Sequence, residues 1–192
     1  ERKLMVGHIV RFDPAVQELK KRLGAGELGR IFQVRCRRLG PFPARIRDVG
    51  VVIDLATHDL DMMRYLTGQE PVRVYAETEQ RIYSVYEDIL VGTVRLADGT
   101  IGILDVNWLT PTKIRELAVI GEGGMFRVDY LMQDLYFYDN ATAHGGEWEA
   151  LRMLRSVSEG SMTRYAIPKQ EPLKSELEAF ISAIEQGTAV PI

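Results

Sequence analysis

Residues 50–66, GVVIDLATHDLDMMRYL, form a strongly apolar segment that carries polar side chains at a regular spacing. Hydrophobic residues would cover most of the circumference of a helix built from it. Asp54, His58 and Asp61 lie at i, i+4 and i+7, in one narrow stripe. Burying a carboxylate or an imidazole without a partner is costly. We therefore expect a buried helix whose polar stripe has either a structural partner or a chemical task.

Three interpretations of this stripe are open. An Asp54–His58 pair suits proton transfer, because an imidazole titrates near neutrality and a carboxylate can orient it or raise its pKa. A structural pair that ties the helix to a sheet accounts for the same spacing. Metal binding is the third, since Asp59 and Asp61 are also ligand types. However, consecutive helical residues point in different directions, so Asp59 cannot easily join His58, and we expect no metal site.

A half-buried strand is predicted at residues 31–39, IFQVRCRRL, because apolar and polar side chains alternate there. Phe32, Val34 and Cys36 form its apolar face. Cys36 is the single cysteine, so the chain has no internal disulfide and no cysteine-based zinc site. We expect it to be an inert, small hydrophobic residue. A reducing cytoplasm is the expected location.

Basic side chains lead from this strand into the helix: Arg35, Arg37, Arg38, Arg45 and Arg47. A solvated face is one explanation. However, the loop brings Arg45 and Arg47 beside the helix N-terminus, which already favours anions. Guanidinium groups hold phosphate or carboxylate in a two-pronged fork. We predict that Arg37, Arg45 and Arg47 bind substrate, with Arg45 and Arg47 as a diphosphate clamp.

Trp108 is a further candidate for substrate binding. It is predicted to end a strand, where an indole could form the floor of a sugar site. Packing in the core is the alternative.

The remaining segments predict an α+β domain. A strand is expected at Leu4–Val10, and Asp13-Pro14 is typical of a helix start. Helices are also predicted at 148–157 and 172–186. Strands are predicted at Val72–Glu77, Ile89–Leu96, Ile101–Trp108, Glu116–Gly121, Met125–Tyr130 and Leu135–Tyr138. This order indicates an open, mostly antiparallel sheet with helices on one face. The other face needs cover, so we expect a homodimer or homotetramer.

Composition limits the classes of function. The 192 residues are 46% hydrophobic and 27% charged, with a net charge of -3. This length allows one sizeable core. The net charge argues against a general nucleic-acid binder, and no apolar run is long enough to span a membrane. The chain begins strand-like and stops at TAVPI without a closing element, so we expect a piece of a longer protein.

Four stretches resemble the Gfo/Idh/MocA oxidoreductases: VGHIVRFDPAV, ELGRIFQVR, GVVIDLATHDLDMMRYLTG and EPLKSELEAFISAI. The resemblance covers essentially the whole chain. Such enzymes have an N-terminal Rossmann domain that binds NAD or NADP. Their C-terminal α+β domain holds the substrate and mediates subunit contacts. The resemblance implies that residues 1–192 are this second domain, with residues 1–12 crossing from a dinucleotide-binding domain outside the chain.

The resemblance also implies roles for individual residues. His58 would accept the hydroxyl proton as hydride leaves for the nicotinamide, and Asp54 would orient His58 or hold a neighbouring hydroxyl. Arg11 is predicted to contribute to cofactor binding. The stretches RRLGPFPARIRDVGVVIDLATHDLD and VNWLTPTKIRELAVIGEGGMFRVDYLMQDLYFYDN are most similar to members that use NAD+ to oxidise the 3-hydroxyl of a UDP-N-acetyl-hexosamine.

Other functions remain open. A dehydrogenase of a free polyol such as myo-inositol would keep the fold but would not need the arginine clamp. A non-catalytic binding module of the same fold would not need the Asp54–His58 pair. A metal-dependent hydrolase is the remote choice. The family's Glu-Lys-Pro motif and its Gly-rich dinucleotide fingerprint are both absent from these residues. We therefore expect the isolated chain to be inactive and to bind NAD poorly.

Overall fold

The computed structural model describes residues 2–46, 48–82, 85–140 and 160–192. A 3-10 turn, Ile9–Phe12, leads into the first helix, and a π-helical turn, Val52–Ala56, leads into the second. The helices are α1 (Pro14–Gly24), α2 (Thr57–Thr67) and α3 (Pro172–Glu185). The strands are β1 (Ile31–Pro41), β2 (Pro71–Glu79), β3 (Ile89–Leu96), β4 (Ile101–Asn107), β5 (Leu109–Gly121), β6 (Gly124–Asp129), β7 (Asp134–Asp139) and β8 (Met162–Tyr165).

All eight of these strands join one open sheet in the order β2-β3-β4-β1-β5-β6-β7-β8. β1 and β4 run parallel, and every other pair of neighbours is antiparallel. A parallel pair needs a crossover connection, and α2 together with the β2–β3 hairpin supplies it. The predicted α+β architecture with a mostly antiparallel sheet is confirmed.

One face of the sheet is covered by the helices. Val34 and Cys36 on β1 are fully buried on that face. α2 comes very close to β4, because a Cβ at Gly102 would lie 2.4 Å from the sulfur of Met63. Glycine at this position therefore leaves room for the Met63 side chain, which would have to shift for any larger residue. Residues 50–66, which the sequence predicts to form a buried helix, are thus part of the main core.

The opposite face of the sheet is open. Val91 and Ile101 remain 50% and 36% exposed on it. Arg37 of β1 lies on the same face and contacts Asp105 at 3.5 Å and Glu116 at 3.0 Å. This face therefore exposes apolar side chains beside ion pairs.

The helix ends follow the local sequence signals. The carboxylate of Asp13 accepts hydrogen bonds from the backbone N–H groups of Ala15 and Val16, so the predicted helix start is confirmed. Gly68 ends α2 in the left-handed conformation with φ 69°. Lys20 of α1 donates to the carbonyl of Tyr65 at 2.6 Å, near the C-terminal end of α2. These contacts fix α1 against α2.

The predicted strand at Leu4–Val10 is wrong. Residues 2–8 lie outside the strands, and the 3-10 turn follows them. Leu4 and Val6 are exposed, whereas Val10 and Phe12 are buried in the core. The apolar residues that prompted the prediction therefore anchor a turn, and they do not pair with a sheet edge.

The strand boundaries differ from the predictions where side-chain alternation is weak. β5 begins at Leu109, because residues before Glu116 pair with the end of β1 across a register shift. β8 was not predicted. Phe32 was predicted to be buried, but a bulge after Ile31 leaves it 43% exposed. The predicted helix at 148–157 lies outside the described residues. Within the described part of the chain, no helix has both the length and the apolarity to cross a membrane.

Candidate active site

The polar stripe begins in a π-helical turn and not in regular α-helix. Asp54 lies in the turn Val52–Ala56, and His58 is the second residue of α2. The prediction of one continuous α-helix is wrong for this first turn. A π-turn bonds i to i+5, which alters the angle between the two side chains, and such turns are frequent at functional sites.

Asp54 and His58 are electrostatic neighbours without a hydrogen bond. Nδ1 of His58 is buried and has no hydrogen-bond partner among the described residues. The carboxylate of Asp54 likewise forms no hydrogen bond or ion pair with any residue that the structure describes. Its charge nevertheless acts to raise the pKa of His58. The geometry therefore does not support the interpretation as a structural Asp–His pair.

The surroundings of His58 favour a neutral imidazole. Burial lowers its pKa below the usual 6.5, and the charges of Arg38 and His8 lower it further. Asp54 and Asp61 act in the opposite direction, but the net shift is downward. At neutral pH the ring is uncharged, so it can accept a proton. Both carboxylates of the predicted stripe thus act on the pKa of the ring.

A buried ion pair lies next to His58. Nε of Arg38 donates to Oδ1 of Asp59 at 2.7 Å, with Arg38 8% exposed and Asp59 0% exposed. Nη2 of Arg38 and Oδ2 of Asp59 have no partner within the described part of the chain. The guanidinium also lies 5.3 Å from the centre of the Tyr130 ring, and the hydroxyl of Tyr130 is buried without a described partner.

Sequence reasoning missed the importance of this pair. From the sequence alone, Arg38 counts only as one of several basic side chains. Asp59 is considered only as a metal ligand and is excluded because it points away from His58. The missed signal was alternation: Arg38 is two residues after Cys36, so both side chains lie on the helix-covered face. A charge on that face needs a partner, and Asp59 on α2 supplies it.

Arg11 reaches the other end of the stripe. Its Nε donates to Asp61 at 2.8 Å, and its guanidinium lies 4.9 Å from the centre of the Tyr65 ring. Nε2 of His8 is 3.6 Å from the same carboxylate. Asp61 therefore has structural partners. A contact between Arg11 and a cofactor stays a prediction.

The predicted arginine clamp is not assembled as expected. Arg37 lies on the open face of the sheet, opposite α2, because it alternates with Cys36 and Arg38. Arg37 therefore lies away from His58, and a contact of Arg37 with substrate stays a prediction. Arg45 is exposed, and it forms no ion pair with the residues that the structure describes. Arg47 lies outside the described residues.

The helix N-terminus that was expected to attract an anion is already occupied. The side chain of Glu87 accepts a hydrogen bond from the N–H of Val52 at 3.0 Å, and the backbone carbonyl of Glu87 accepts one from Val51 at 3.0 Å. A carboxylate of the chain itself therefore takes the place foreseen for a ligand phosphate.

Trp108 lies in the core. It is 3% exposed, and its ring meets Phe42 edge-on with centroids 5.1 Å apart. These contacts support the packing alternative, and a contact of Trp108 with substrate is untested. Among the described residues, no group of three or more histidine, cysteine or carboxylate side chains is arranged to hold a metal ion.

Comparison with known proteins identifies the family. A family model described as the GFO/IDH/MocA C-terminal domain matches residues 16–127, which is more than half of the chain. The chain belongs to this family. The resemblance inferred from the sequence is confirmed.

Two curated relatives align along nearly the whole chain. UDP-N-acetylglucosamine 3-dehydrogenase of Acidithiobacillus ferrooxidans is 29% identical over 94% of this chain and 53% of its own length. A myo-inositol dehydrogenase of Streptomyces leeuwenhoekii is 32% identical over 98% of this chain and 56% of its own length. The chain therefore spans about half the length of these relatives. Both are dehydrogenases of sugars or polyols, so the chain comes from an oxidoreductase family.

Solved structures agree with the fold. That of the Acidithiobacillus ferrooxidans enzyme matches with a TM-score of 0.81 at 28% identity, covering 97% of this chain and 55% of the other. Levoglucosan dehydrogenase in complex with NADH matches with a TM-score of 0.76 at 22% identity, covering 97% and 58%. The second likeness shows the fold alone.

Proposed function

We propose that this chain is the substrate domain of an NAD(P)-dependent dehydrogenase that oxidises a sugar hydroxyl to a ketone, with His58 as the base. One observation carries the proposal. His58 is a half-buried imidazole with a lowered pKa, and the charges of Arg38 and Asp54 act on that pKa in opposite directions. A neutral imidazole of this kind can accept the proton of a substrate hydroxyl.

The proton transfer follows from the state of the ring. Because Nδ1 is buried within the chain, a substrate hydroxyl cannot reach it, so we assign the ring proton to Nδ1 and leave Nε2 as the acceptor. The hydroxyl proton moves to Nε2 while the carbon loses hydride, so the C–O bond becomes a carbonyl without a protonated intermediate. The resulting imidazolium is stabilised by the charges of Asp54 and Asp61, both of which favour the protonated ring.

Asp54 has a separate task in this proposal. Because it forms no hydrogen bond to His58, we assign it to a neighbouring hydroxyl of the sugar. A carboxylate with no described partner accepts hydrogen bonds from such groups. Of its two expected roles, holding the substrate therefore fits the geometry better than orienting the imidazole.

The cofactor is expected to be held mainly by residues outside the chain. Accepting the hydride is the chemistry that NAD or NADP supplies when bound. Among the described residues, no strand is followed by a glycine-rich turn and a helix that could seat a dinucleotide pyrophosphate. Arg11 is already engaged by Asp61. The residues present thus fit the substrate side of hydride transfer, and we expect the isolated chain to be inactive.

Our preferred substrate is a UDP-N-acetyl-hexosamine, oxidised at its 3-hydroxyl. The relative from Acidithiobacillus ferrooxidans supports it, as do the quoted sequence stretches. A free polyol is the second candidate, because the relative from Streptomyces leeuwenhoekii is a myo-inositol dehydrogenase. A non-catalytic module of the same fold is less favoured, since it would have no use for an unpaired buried imidazole.

The test needs the full-length protein. Formation of NADH is followed with UDP-N-acetylglucosamine and with myo-inositol, for the wild type, His58→Ala and Thr57→Ala. Thr57 is exposed on the same helical turn and serves as the matched control. We expect turnover of one substrate, its loss in His58→Ala and its retention in Thr57→Ala. Full activity of His58→Ala would refute the proposal.

We also propose that a second copy of the chain covers the open face of the sheet. Exposed Val91 and Ile101 on that face support this arrangement. The oligomeric state of the full-length protein, measured by sedimentation, tests it. Val91→Lys should shift the protein toward smaller species, and an unchanged assembly would show that another surface is used.

A further inference from the structure

A cationic cleft of about 190 Å³ lies beside the candidate active site, between the 3-10 turn, β5 and the start of α3. Arg38, Lys113, Arg115 and Tyr130 line it, together with Asp13. Arg38 belongs to both places, since it acts on His58 and also borders the cleft.

The positive charges of the cleft are only partly balanced. Asp59 pairs with Arg38, whereas Lys113 and Arg115 form no ion pair with any carboxylate in the described ranges. The carboxylate of Asp13 accepts two backbone hydrogen bonds at the start of α1. The cleft thus holds two unpaired cations beside a buried pair, an arrangement that favours an anionic ligand.

The cleft is also built from fixed groups. Nη1 of Arg115 donates to the carbonyl oxygens of Leu39 at 2.6 Å and Ile114 at 2.9 Å. Arg38, which is 8% exposed, has a buried Nη2 without a described partner, and the buried hydroxyl of Tyr130 is in the same state. Leaving such donors unsatisfied costs stability unless a ligand completes them. Burial and the charge of Arg38 lower the pKa of Arg115, so an anion would relieve a repulsion that already exists.

We propose that this cleft binds the diphosphate of a nucleotide-sugar substrate through Arg38, Lys113 and Arg115, while the sugar lies at His58. The proposal rests on the proposed function and deepens it, because it selects the charged substrate class over a free polyol. The proposed diphosphate site therefore differs from the one predicted from the sequence, which used Arg45 and a helix N-terminus that Glu87 occupies.

A dinucleotide cofactor also contains a diphosphate, so the test must separate the two sources. We place the substrate in the cleft because Arg38 contacts Asp59, the neighbour of His58, and so joins the cleft to the reacting group. The prediction is that changes in the cleft alter binding of the sugar nucleotide and leave the KM for NAD unchanged.

The experiment measures binding to the full-length protein by calorimetry with UDP, UDP-N-acetylglucosamine, N-acetylglucosamine 1-phosphate and uncharged N-acetylglucosamine. The variants in the cleft are Lys113→Ala and Arg115→Lys. Arg45→Ala tests the clamp beside the helix N-terminus that the sequence predicts. Lys21→Ala is the matched control, since Lys21 is 80% exposed on α1. Thermal unfolding of each variant checks that it folds.

We expect Lys113→Ala to weaken UDP and UDP-N-acetylglucosamine by roughly tenfold, as for one lost charge-assisted contact. Arg115→Lys should weaken them similarly, and Arg45→Ala and Lys21→Ala should have no effect. Weaker binding only in Arg45→Ala would overturn the proposal. Altered KM for NAD with unaltered UDP binding would assign the cleft to the cofactor and overturn it as well.

These measurements distinguish failure of the cleft assignment from failure of the proposed dehydrogenase function. If UDP binding depends on Lys113 but no substrate is oxidised, the cleft assignment stands and the dehydrogenase proposal fails. If myo-inositol is oxidised with His58 and UDP does not bind, the dehydrogenase proposal stands and the cleft assignment fails. Binding of N-acetylglucosamine 1-phosphate as tight as that of UDP-N-acetylglucosamine would show that one phosphoryl group suffices, which contradicts the diphosphate proposal.

Discussion

Arg38 on β1 and Asp59 on α2 form a buried ion pair, with Nε and Oδ1 2.7 Å apart, directly beside His58. The pair fixes α2 against the sheet at the position where the imidazole must be held. It also brings the charge of Arg38 close enough to lower the pKa of His58. The Arg38–Asp59 contact thus contributes both to the packing of α2 and to the electrostatics of the proposed base.

Breaking this pair should destabilise the domain strongly. Asp59→Ala leaves Arg38 buried without its carboxylate, so we expect a loss of about 3–5 kcal/mol in the free energy of unfolding. The double variant Arg38→Met/Asp59→Ala should lose less than the sum of the single variants, because no buried charge remains unpaired. Urea unfolding of this chain provides the measurement.

An exposed pair gives the control. Arg64 and Glu70 are joined at 2.6 Å, but both are largely exposed, so Glu70→Ala should change the free energy of unfolding far less than Asp59→Ala. Equal losses for Asp59→Ala and Glu70→Ala would contradict the structural role of the buried pair.

Arg37→Ala should leave catalysis unchanged. Arg37 lies on the open face and contacts Asp105 and Glu116, so it cannot reach the site around His58. We expect kcat and KM of the full-length enzyme within about twofold of wild type and a stability change below about 1 kcal/mol. A rise in KM for the sugar nucleotide without a change in assembly would show that Arg37 acts on substrate.

Glu87→Ala should weaken the start of the π-helical turn. The side chain of Glu87 satisfies the free N–H of Val52, and loss of such a cap costs about 1 kcal/mol. Glu87→Gln keeps an acceptor but not the charge, so its effect should be smaller. Thermal unfolding of both variants tests this order, and equal melting temperatures for both variants and wild type would contradict the capping role.

The stability contributed at Asp13 should depend on pH. Burial raises its pKa to about 6 in the folded state, against an ordinary value of 3.8. The folded protein therefore takes up a proton before the unfolded chain does, and stability is gained as the pH falls through this range. Asp13→Asn keeps an N-cap but does not titrate.

Unfolding free energies of wild type and Asp13→Asn should be compared between about pH 7 and pH 4. Every other titrating group is present in both proteins, so the difference between their unfolding free energies reports on Asp13 alone. We expect wild type to gain on the order of 1–3 kcal/mol relative to the variant as the pH is lowered. A difference that stays constant with pH would contradict the raised pKa.

Much of the fold could be predicted from the sequence because local signals were strong. Asp13-Pro14 marks the start of α1 by cap chemistry, and the hairpin around Asp98-Gly99 joins β3 to β4. The strand expected at Leu4–Val10 was wrong because hydrophobic residues alone do not provide a neighbouring strand. Pairing partners are a tertiary property, which composition cannot reveal.

The sequence predicted the central Asp54–His58 pair of the site, but it did not predict the residues that surround this pair. The spacing of Asp54 and His58 identified the polar stripe, but the π-helical turn depends on how the chain enters α2. Arg37 was predicted to bind substrate, but strand alternation places Arg38 and not Arg37 on the helix-covered face with the buried Cys36. The capping of the helix by Glu87 joins residues 35 positions apart, so no local pattern could have shown it.

The central claim is that neutral His58 removes the substrate proton, and the pH dependence of hydride transfer in the full-length enzyme tests it most directly. For wild type, kcat/KM should fall as the pH drops through a value below 6.5, because the protonated ring cannot accept a proton. Asp54→Asn should move this limb to lower pH, since the carboxylate raises the pKa of His58. His58→Gln should lose about a hundredfold or more in rate and lose the limb altogether. A His58→Gln enzyme that keeps both its rate and its acid limb would contradict the account.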